Sequence, residues 1–453
     1  MLFSTEFLAE LFPETRGLVE NGLAINQVTT DSRHLTDQSL FIPLKGDSFD
    51  GHKFLKGAID NGAVATLWQK DMELPAFIPD EFVVFYVEDT LKALQQLAHQ
   101  YRKLVNPVVI GVTGSNGKTT TKDLVGSVLQ TTFVTHRTKG NFNNHIGLPL
   151  TILSMTRDTE VLVLEMGMNH FGEIELLSKI AMPDYAIITN IGESHIEFLG
   201  SREGIAEAKS EIIVGLKPEG QLLIDGDEPL LDELKKQENV ISIGFDTENN
   251  ITINNFSMSA NYSSFELNNG KLFQLSMLGQ HNVKNATFAI EIAKYLKIPE
   301  KLIKDALLKL DLTGMRFELK NGINGVTIIN DAYNASPTSM KASIDVVKQM
   351  KDYSSKVLVL GDMYEMGNNS RKMHRSVAEI ITEDIDFVFT IGNDSKEISS
   401  AVASQSDLIV TKHFQAKDEL AKHLKEHLNK DTIILLKASR GVRLETILDS
   451  LID

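Results

Sequence analysis

The sequence lacks cysteine entirely. This absence excludes disulfide bonds, thiolate metal ligands and a cysteine nucleophile, and it agrees with a reducing compartment. Long apolar runs are also missing, since none approaches the roughly 18 residues that span a membrane. The N-terminus carries acidic residues early and has no basic region before an apolar run, which is not typical of a signal peptide. We therefore expect a cytoplasmic protein without membrane insertion.

Basic residues are in deficit, because 45 lysines and arginines stand against 61 acidic residues and leave a net charge of −16. A nucleic-acid surface needs basic clusters, so we expect no nucleic-acid partner. An anionic substrate must instead be bound by a few local cations and by backbone N–H groups. The apolar fraction of 42% is that of a globular protein, and 453 residues predict two to four domains.

A glycine-rich segment, IGVTGSNGKTTTKD at residues 110–123, joins a predicted buried strand at 107–110 to a predicted helix. Such a junction aims backbone N–H groups and a helix N-terminus at one point, which suits a polyphosphate. The spacing differs from the usual P-loop, because Val112 stands where the first glycine is expected. One alternative is an ordinary strand–turn–helix junction with an incidental lysine. We predict an ATP site, with Lys118 on the β- and γ-phosphates and Thr119 on Mg²⁺.

Two later apolar runs, at residues 161–165 and 185–190, predict parallel strands that end in polar loops. The first run ends at Glu165, and His195 follows the second. Carboxyl ends of parallel strands share one sheet edge, so both side chains are expected beside the phosphate loop as Mg²⁺ or Mn²⁺ ligands. The alternatives are a helix-capping glutamate and an ordinary loop histidine. Lys209 lies in a predicted helix at 201–216 begun by Ser201, and its pattern alone favours a surface lysine.

We expect an α/β protein with three domains, at residues 1–104, 105–312 and 313–453. The first is a small α/β unit whose Arg33 and Lys45 either bind an anionic group such as a diphosphate or are solvated turn residues. The second has a mostly parallel sheet around the phosphate loop, followed by antiparallel strands in 240–278. Residues 139–149 are predicted as a loop. In the third, strands and helices alternate, as is typical of a doubly wound, Rossmann-like sheet.

The segment TGSNGKTT at 113–120 resembles the phosphate loop of the Mur ligases, ATP-dependent enzymes that extend the peptidoglycan stem peptide. The resemblance covers essentially the whole chain. Glu165, His195 and Lys209 match the family's Mg²⁺-binding glutamate and histidine and its carboxylated lysine. Folylpolyglutamate synthases share the fold, but their loop continues Gly-Lys-Gly-Ser where this chain has Gly-Lys-Thr-Thr. A non-catalytic nucleotide-binding regulator is the alternative from another functional class.

A branch within the family is also indicated. Residues 31–33 and 44–46, DSR and LKG, resemble the first domain of the enzymes that add the third and fourth stem-peptide units. The Asp-Asn-Pro-Arg motif of the third-adding enzymes is absent. Residues 330–340 and 360–367 instead resemble the branch that joins D-alanyl-D-alanine to UDP-N-acetylmuramoyl-tripeptide. The resemblance thus implies these two substrates, ATP, two Mg²⁺ ions and an acyl-phosphate intermediate. Separately, we expect a monomer.

The resemblance assigns roles to individual residues. The catalytic set is Lys118, Glu165, His195 and Lys209, and the metal ligands are Thr119, Glu165, His195 and Lys209 as an N6-carboxylate (carbamate). The nucleotide is expected on Gly114, Ser115, Asn116, Gly117, Lys118, Thr119, Thr120, Asn285 (rather than Asn282), Arg316 and Asp331. The two other substrates are expected on Asp31, Ser32, Arg33, Lys45, Gly46, Asn143, Asn144, Asn334, Ser336, Asp362, Glu365, Lys437, Ser439 and Arg440.

Overall fold

The computed structural model describes residues 1–17, 19, 22–46, 48–310 and 313–452, and within them three large sheets occupy three consecutive stretches of chain, beside a small two-stranded sheet. The predicted α/β class is confirmed. The predicted boundary between the second and third domains lies between residues 312 and 313, and residues 311 and 312 lie outside the described residues. The boundaries therefore stay predictions. None of the described helices is both long and apolar enough to cross a membrane.

The N-terminal sheet has the strand order β2-β7-β6-β5-β4, in which only β2 is antiparallel to its neighbour. A separate ribbon pairs β1 with β3. The last helix, α3, ends before Asn106. The positive φ of 51° at Asn106 and the proline that follows it prevent the helix from continuing. The elements are β1 Phe3–Ser4, α1 Thr5–Leu11, β2 Thr15–Arg16, β3 Ala24–Ile25, β4 Gln27–Thr29, β5 Ser39–Phe41, α2 Leu55–Asp60, β6 Ala63–Gln69, β7 Val83–Val87 and α3 Thr90–Val105.

The central sheet has nine strands in the order β16-β15-β14-β13-β12-β11-β8-β10-β9. Strands β8 to β14 are parallel, and β15 and β16 add an antiparallel edge. The elements are β8 Val108–Thr113, α4 Lys118–Leu129, β9 Thr135–Arg137, α5 Gly147–Leu153, β10 Val161–Glu165, α6 Glu173–Ala181, β11 Tyr185–Ile188, α7 Ile196–Leu199, α8 Arg202–Ser210, β12 Gln221–Asp225, α9 Asp232–Lys235, β13 Val240–Gly244, β14 Ile251–Met258, β15 Ser263–Leu267, β16 Leu272–Leu275, α10 Gln280–Tyr295 and α11 Glu300–Leu308.

Two predictions for the central sheet need correction. The run at 240–244 is not antiparallel, because β13 pairs in parallel with both β12 and β14. The predicted loop at 139–149 ends early, since α5 already begins at Gly147. The order of the middle strands nevertheless places β8 between β10 and β11, so that the loops after all three strands meet at one edge.

The C-terminal sheet has the order β17-β18-β22-β19-β20-β21, parallel except for β17. Its helices lie on both faces over two apolar clusters, as a doubly wound sheet requires. The elements are β17 Glu318–Asn321, β18 Thr327–Asn330, α12 Pro337–Gln349, β19 Ser355–Gly361, α13 Ser370–Val377, β20 Phe387–Ile391, α14 Lys396–Gln405, β21 Val410–Phe414, α15 Lys417–Leu424 and β22 Thr432–Lys437.

Helix α3 attaches the N-terminal unit to the central sheet through a shared apolar core. Leu97 and Tyr101 of α3 belong to the same buried cluster as Ile152 of α5. The Tyr101 hydroxyl donates to the Met155 carbonyl at 2.9 Å, and Arg102 donates to the Ala181 carbonyl at 2.8 Å. Since these groups are buried and satisfied, the two units form one packed body.

Candidate active site

A cavity of about 960 Å³ lies between the central sheet and the C-terminal sheet. Its central wall is formed by the loops after β8, β10, β11 and β12 and by the first turns of α10. Its C-terminal wall is formed by the segment before β17, the loop after β18 and one side of α12 along its whole length. Fifteen of the predicted site residues line it: Ser115, Asn116, Gly117, Lys118, Thr119, Thr120, Asn143, Asn144, Glu165, His195, Asn285, Arg316, Asp331, Asn334 and Lys437.

The phosphate loop between β8 and α4 is held in a conformation that requires glycine at two points. Gly114 has φ +144°, and a Cβ there would lie 1.9 Å from the Thr189 hydroxyl. Gly117 has φ +79° and lies against the side-chain amide of Asn285. The Thr189 hydroxyl donates to the Asn116 carbonyl at 2.6 Å. The loop is therefore shaped by the neighbouring strand as well as by its own sequence.

The first turn of α4 carries the polar groups that face the cavity. The Lys118 amine donates to the Gly114 carbonyl at 2.7 Å, so it folds over its own loop. Burial lowers the pKa of Lys118, the Glu165 carboxylate opposes this shift, and the Arg316 cation adds to it. Thr119 donates its hydroxyl proton to one Glu165 oxygen at 2.8 Å. Asn143 donates to the other at 2.9 Å.

Lys209 is buried beneath this edge of the sheet, with 1% of its surface exposed. The surface-lysine interpretation is therefore wrong. Its amine forms no hydrogen bond or ion pair within the described part of the chain. Burial, and secondarily the charge of Lys118, hold the pKa of Lys209 well below its ordinary value. Ser201 does cap the helix as predicted, since its hydroxyl accepts the Gly204 N–H at 3.2 Å.

His195 reaches across to the C-terminal domain. Its Nδ1 lies 2.6 Å from a carboxylate oxygen of Glu365. His195 and Glu365 both have positive φ, 66° and 62°. The Glu197 N–H also donates to the Glu365 carbonyl at 3.2 Å. Glu365 thus contacts a predicted metal ligand without lining the cavity itself.

The opposite wall contains a cation, Arg316, that forms no ion pair with any carboxylate among the described residues. The Arg316 guanidinium lies 4.1 Å from the centre of the Tyr333 ring, and its Nε is buried without a partner. Asp331, in contrast, accepts from the Lys437 amine at 2.5 Å and from the Ser343 hydroxyl at 2.7 Å. Arg316 is therefore free to meet an anion in the cavity, whereas Asp331 and Lys437 satisfy each other.

Two hydrogen-bonded contacts join the two walls of the cavity at the start of α12. The Glu193 carboxylate accepts from the Thr338 N–H at 3.1 Å and from the Thr338 hydroxyl at 2.8 Å. Ser336 caps α12 and donates to the Asn116 side-chain carbonyl at 3.3 Å. The phosphate loop therefore contacts the C-terminal domain directly.

The remaining predicted residues do not line the cavity: Gly114, Lys209, Asp31, Ser32, Arg33, Lys45, Gly46, Ser336, Asp362, Glu365, Ser439 and Arg440. In the N-terminal domain, Arg33 is exposed and donates to Asp31 at 2.8 and 2.9 Å, which lowers the pKa of that carboxyl. The Lys45–Gly46 turn is closed by a hydrogen bond from the Gly46 N–H to the Phe49 carbonyl at 2.8 Å.

Three residues predicted as substrate ligands in the C-terminal domain have hydrogen-bond partners outside the cavity. The Asp362 carboxylate accepts the N–H groups of residues 393, 394 and 395 at 2.7–3.0 Å, so the structure assigns it to that loop and not to the cavity. The Ser439 hydroxyl accepts the Tyr364 N–H at 2.9 Å, and Arg440 donates to Glu445 at 2.7 Å. The polar groups of Asp362, Ser439 and Arg440 therefore already have hydrogen-bond partners outside the cavity.

Sequence reasoning missed an ion-paired group at the end of β12. Lys284 contacts Asp225 at 2.6 Å and Asp227 at 2.8 Å, and Arg202 contacts Glu228 at 2.6 Å. All five side chains line the cavity. Glu165 is predicted because polar residues directly follow an apolar strand there. Residues 221–228 show the same pattern, so it could have indicated the acidic residues of this group.

Comparisons with known proteins agree with this geometry. Three family models match in succession: the Mur ligase family catalytic domain at 24–102, the Mur ligase middle domain at 112–293 and the Mur ligase glutamate ligase domain at 315–440. The chain is 47% identical to the UDP-N-acetylmuramoyl-tripeptide--D-alanyl-D-alanine ligase of Bacillus subtilis over 95% of this chain and 93% of that protein.

Solved structures give the same result. A crystal structure of MurF from Acinetobacter baumannii matches with a TM-score of 0.82 and 31% identity, over 94% of this chain and 93% of that one. MurF ligase from Thermotoga maritima, in complex with ADP, matches with a TM-score of 0.82 and 30% identity, over 94% and 96%. These matches run across all three sheets at identities well above those of fold likeness alone, and the chain belongs to the Mur ligase family.

Proposed function

We propose that this chain is the ATP-dependent ligase that joins D-alanyl-D-alanine to UDP-N-acetylmuramoyl-tripeptide in the cytoplasm. The product would be a pentapeptide precursor of peptidoglycan, on which cell shape and cell division depend. The names of relatives that are 30–47% identical over most of their length support the substrates. The observation that carries the proposal is the contact between Thr119 and Glu165 at a phosphate loop that faces a second domain.

The cavity has the donors that a nucleotide triphosphate needs. The side-chain nitrogen of Asn116 and the Nε of Arg316 are buried and have no hydrogen-bond partner among the described residues, and each is a donor that an anion would satisfy. The start of α4 adds backbone N–H groups and the positive end of its dipole. We infer that residues 114–120 hold the phosphates, with Asn285, Arg316 and Asp331 around the rest of the nucleotide.

Thr119 and Glu165 fit a Mg²⁺ ion whose other ligands are phosphate oxygens and water. The described residues contain no group of three or more acidic or histidine side chains around one position, which agrees with such a partly protein-bound metal. His195 would serve a second Mg²⁺ ion. When bound, the two ions would neutralise charge on the phosphates and on the substrate carboxylate.

Lys209 fits the carboxylated lysine of the family. Its buried amine has a lowered pKa and no partner, so a neutral nitrogen is available. The nitrogen would bond to the carbon of CO₂ and lose a proton, which gives an anionic carbamate beside the Lys118 cation. We expect Lys209→Ala and Lys209→Arg to abolish turnover, without rescue of the arginine variant by bicarbonate. Near-normal turnover of Lys209→Ala would contradict this role.

The reaction requires an activated carboxylate. An oxygen of the tripeptide carboxylate would bond to the γ-phosphorus while the bond to the bridging oxygen of ADP breaks. The dipeptide nitrogen would then bond to the acyl carbon, lose a proton and expel phosphate. Because the first step brings two anions together, Lys118 and Arg316 would act mainly by charge neutralisation and positioning. Closure of the two domains around the substrates would keep water from the acyl phosphate.

The two flanking domains would select the substrates. Asp31, Ser32, Arg33, Lys45 and Gly46 would hold the uridine diphosphate. The tripeptide and dipeptide would lie along Asn143, Asn144, Asn334, Ser336 and Lys437, with Asp362, Glu365, Ser439 and Arg440 supporting the loops around them. A monomer suffices for this arrangement, because both walls of the cavity come from one chain.

A phosphate-release assay tests the proposal. We expect release on adding ATP, UDP-N-acetylmuramoyl-tripeptide and D-alanyl-D-alanine, and none with folate and glutamate. Assaying tripeptides that end in L-lysine or in diaminopimelate identifies the third residue. Nucleotide binding without amide formation, together with unchanged behaviour of Glu165→Ala and His195→Ala, would instead support a regulator.

A further inference from the structure

Arg316 lies on a constrained segment between the central and C-terminal domains. The residues on either side of it, Met315 and Phe317, have φ of +62° and +53°. The Tyr333 N–H donates to the Met315 carbonyl at 3.3 Å, and the Phe317 N–H donates to Asp331 at 3.2 Å. Left-handed backbone at two bulky residues is costly, so these bonds hold a conformation that presents Arg316 to the cavity.

The Arg316 side chain has no charged partner that fixes its direction. It forms no ion pair and no hydrogen bond within the described residues. A second guanidinium, that of Arg440, lies 6.0 Å from the same Tyr333 ring but is paired with Glu445. At 4.1 Å, the Tyr333 ring is therefore the only contact of this kind that orients the Arg316 cation among the residues described.

Arg316 and Lys118 face the same region of the cavity from opposite walls. Both side chains line the cavity, and the charge of Arg316 is close enough to lower the pKa of Lys118. The Glu165 carboxylate also acts on Lys118, and an anion bound between the two cations would reduce their repulsion further. A polyphosphate is the anion that the phosphate loop prepares for.

We propose that Tyr333 is a positioning residue for nucleotide binding, and that its ring face holds the Arg316 guanidinium toward the phosphates. This inference rests on the proposed function, because it takes ATP as the ligand. An aromatic face orients a planar guanidinium while leaving its N–H groups free, which a carboxylate partner would not do. The ring, and not the hydroxyl, is the part that matters.

The test is a double-mutant cycle on the full chain, with binding of the non-hydrolysable analogue β,γ-imido-ATP measured by calorimetry. We expect Tyr333→Phe to bind within about twofold of the parent chain, and Tyr333→Leu and Tyr333→Met to bind about tenfold more weakly. Adding Tyr333→Leu to Arg316→Gln should have no further effect, because the group that the ring positions is already gone. Binding of AMP should be unchanged in Tyr333→Leu.

Tyr262→Leu is the matched control, since this exposed tyrosine lies in the central domain and does not line the cavity. Tyr333 is only half-buried, so its variants should fold, which melting curves check. Equal weakening of AMP and the analogue would mean that the ring contacts the nucleoside, and it would overturn the inference. Independent effects of the Tyr333 and Arg316 changes, or a Tyr333→Leu variant that binds normally, would also overturn it. A parent chain that binds no nucleotide would refute the proposed function as well.

Discussion

At the scale of the residue, Gly114 shows how closely the phosphate loop is built onto its neighbour. A Cβ at this position would meet the Thr189 hydroxyl, and φ of +144° disfavours any other residue. We expect Gly114→Ala to lower the free energy of unfolding by about 1–3 kcal/mol and to abolish nucleotide binding. Urea unfolding and calorimetry measure the two effects. Gly57→Ala, in a helix with open space around it, should be neutral or slightly stabilising.

His281 provides a pH-dependent test. Burial lowers its pKa from 6.5 to about 4, opposed by Asp331 and reinforced by Lys437. The native state therefore keeps this ring neutral between pH 6.5 and 4 while the unfolded chain takes up a proton, so stability is lost as the pH falls through this window. This pKa shift contributes at most about 3 kcal/mol to the free energy of unfolding. The actual contribution is smaller, because His281 is only half-buried.

The measurement is the pH dependence of urea unfolding from pH 7 to 4. We expect the loss of stability to be shallower in His281→Gln than in the parent chain. His34→Gln, which removes an exposed histidine, should follow the parent curve. Parallel curves for the parent and His281→Gln would contradict the prediction.

The residues that sequence reasoning found are those whose signal is local. The phosphate loop is one continuous segment, and Glu165 directly follows an apolar strand. The same signal marks Asp225 at the end of β12, but its pairing with Lys284 could not be found in this way, because 59 residues separate the two. Such a pair exists only once β12 and α10 have packed together.

At the scale of the element, Asp362 connects β19 to the start of α14. Its carboxylate accepts three consecutive N–H groups before that helix. We expect Asp362→Ala to lower the free energy of unfolding by roughly 3 kcal/mol, because the three donors lose their partner. Chemical unfolding tests this, with the exposed Asp407→Ala as a near-neutral control. Unchanged stability together with weaker dipeptide binding would restore the predicted ligand role.

The run at 240–278 shows why strand direction is harder to predict than strand position. Its short apolar runs and its Asn and Gly turns are typical of hairpins, and β14, β15 and β16 do pair in this way. Strand β13 does not, because α9 carries the chain back over the sheet and β13 enters in parallel. A crossover of this kind depends on which neighbour is already in place, and the local sequence does not contain that information.

At the scale of the whole molecule, the contact between Glu193 and Thr338 holds the C-terminal domain against the central one. A carboxylate at a helix N-terminus is favourable because it meets free N–H groups and the positive end of the dipole. We expect Glu193→Ala to populate a more open arrangement, seen as a larger radius of gyration by small-angle scattering, and to raise KM for ATP severalfold. Glu219→Ala removes an exposed glutamate elsewhere in the central domain and should change neither quantity.

The interface of the N-terminal domain with the central domain is apolar, whereas that of the C-terminal domain with the central domain includes charged and polar contacts. We expect a concentrated salt to strengthen the first interface and to weaken the second. Helix α3 joins its neighbour through an apolar core, which excluded salts such as sulfate strengthen. The contacts of Glu193 and His195 are charged or polar, and salt weakens the electrostatic attraction of such contacts where they meet solvent. Sulfate should therefore stabilise the packing of α3 against the central domain and weaken the contacts between the central and C-terminal domains. An additive that stabilises the fold would then disfavour the domain arrangement that forms the site.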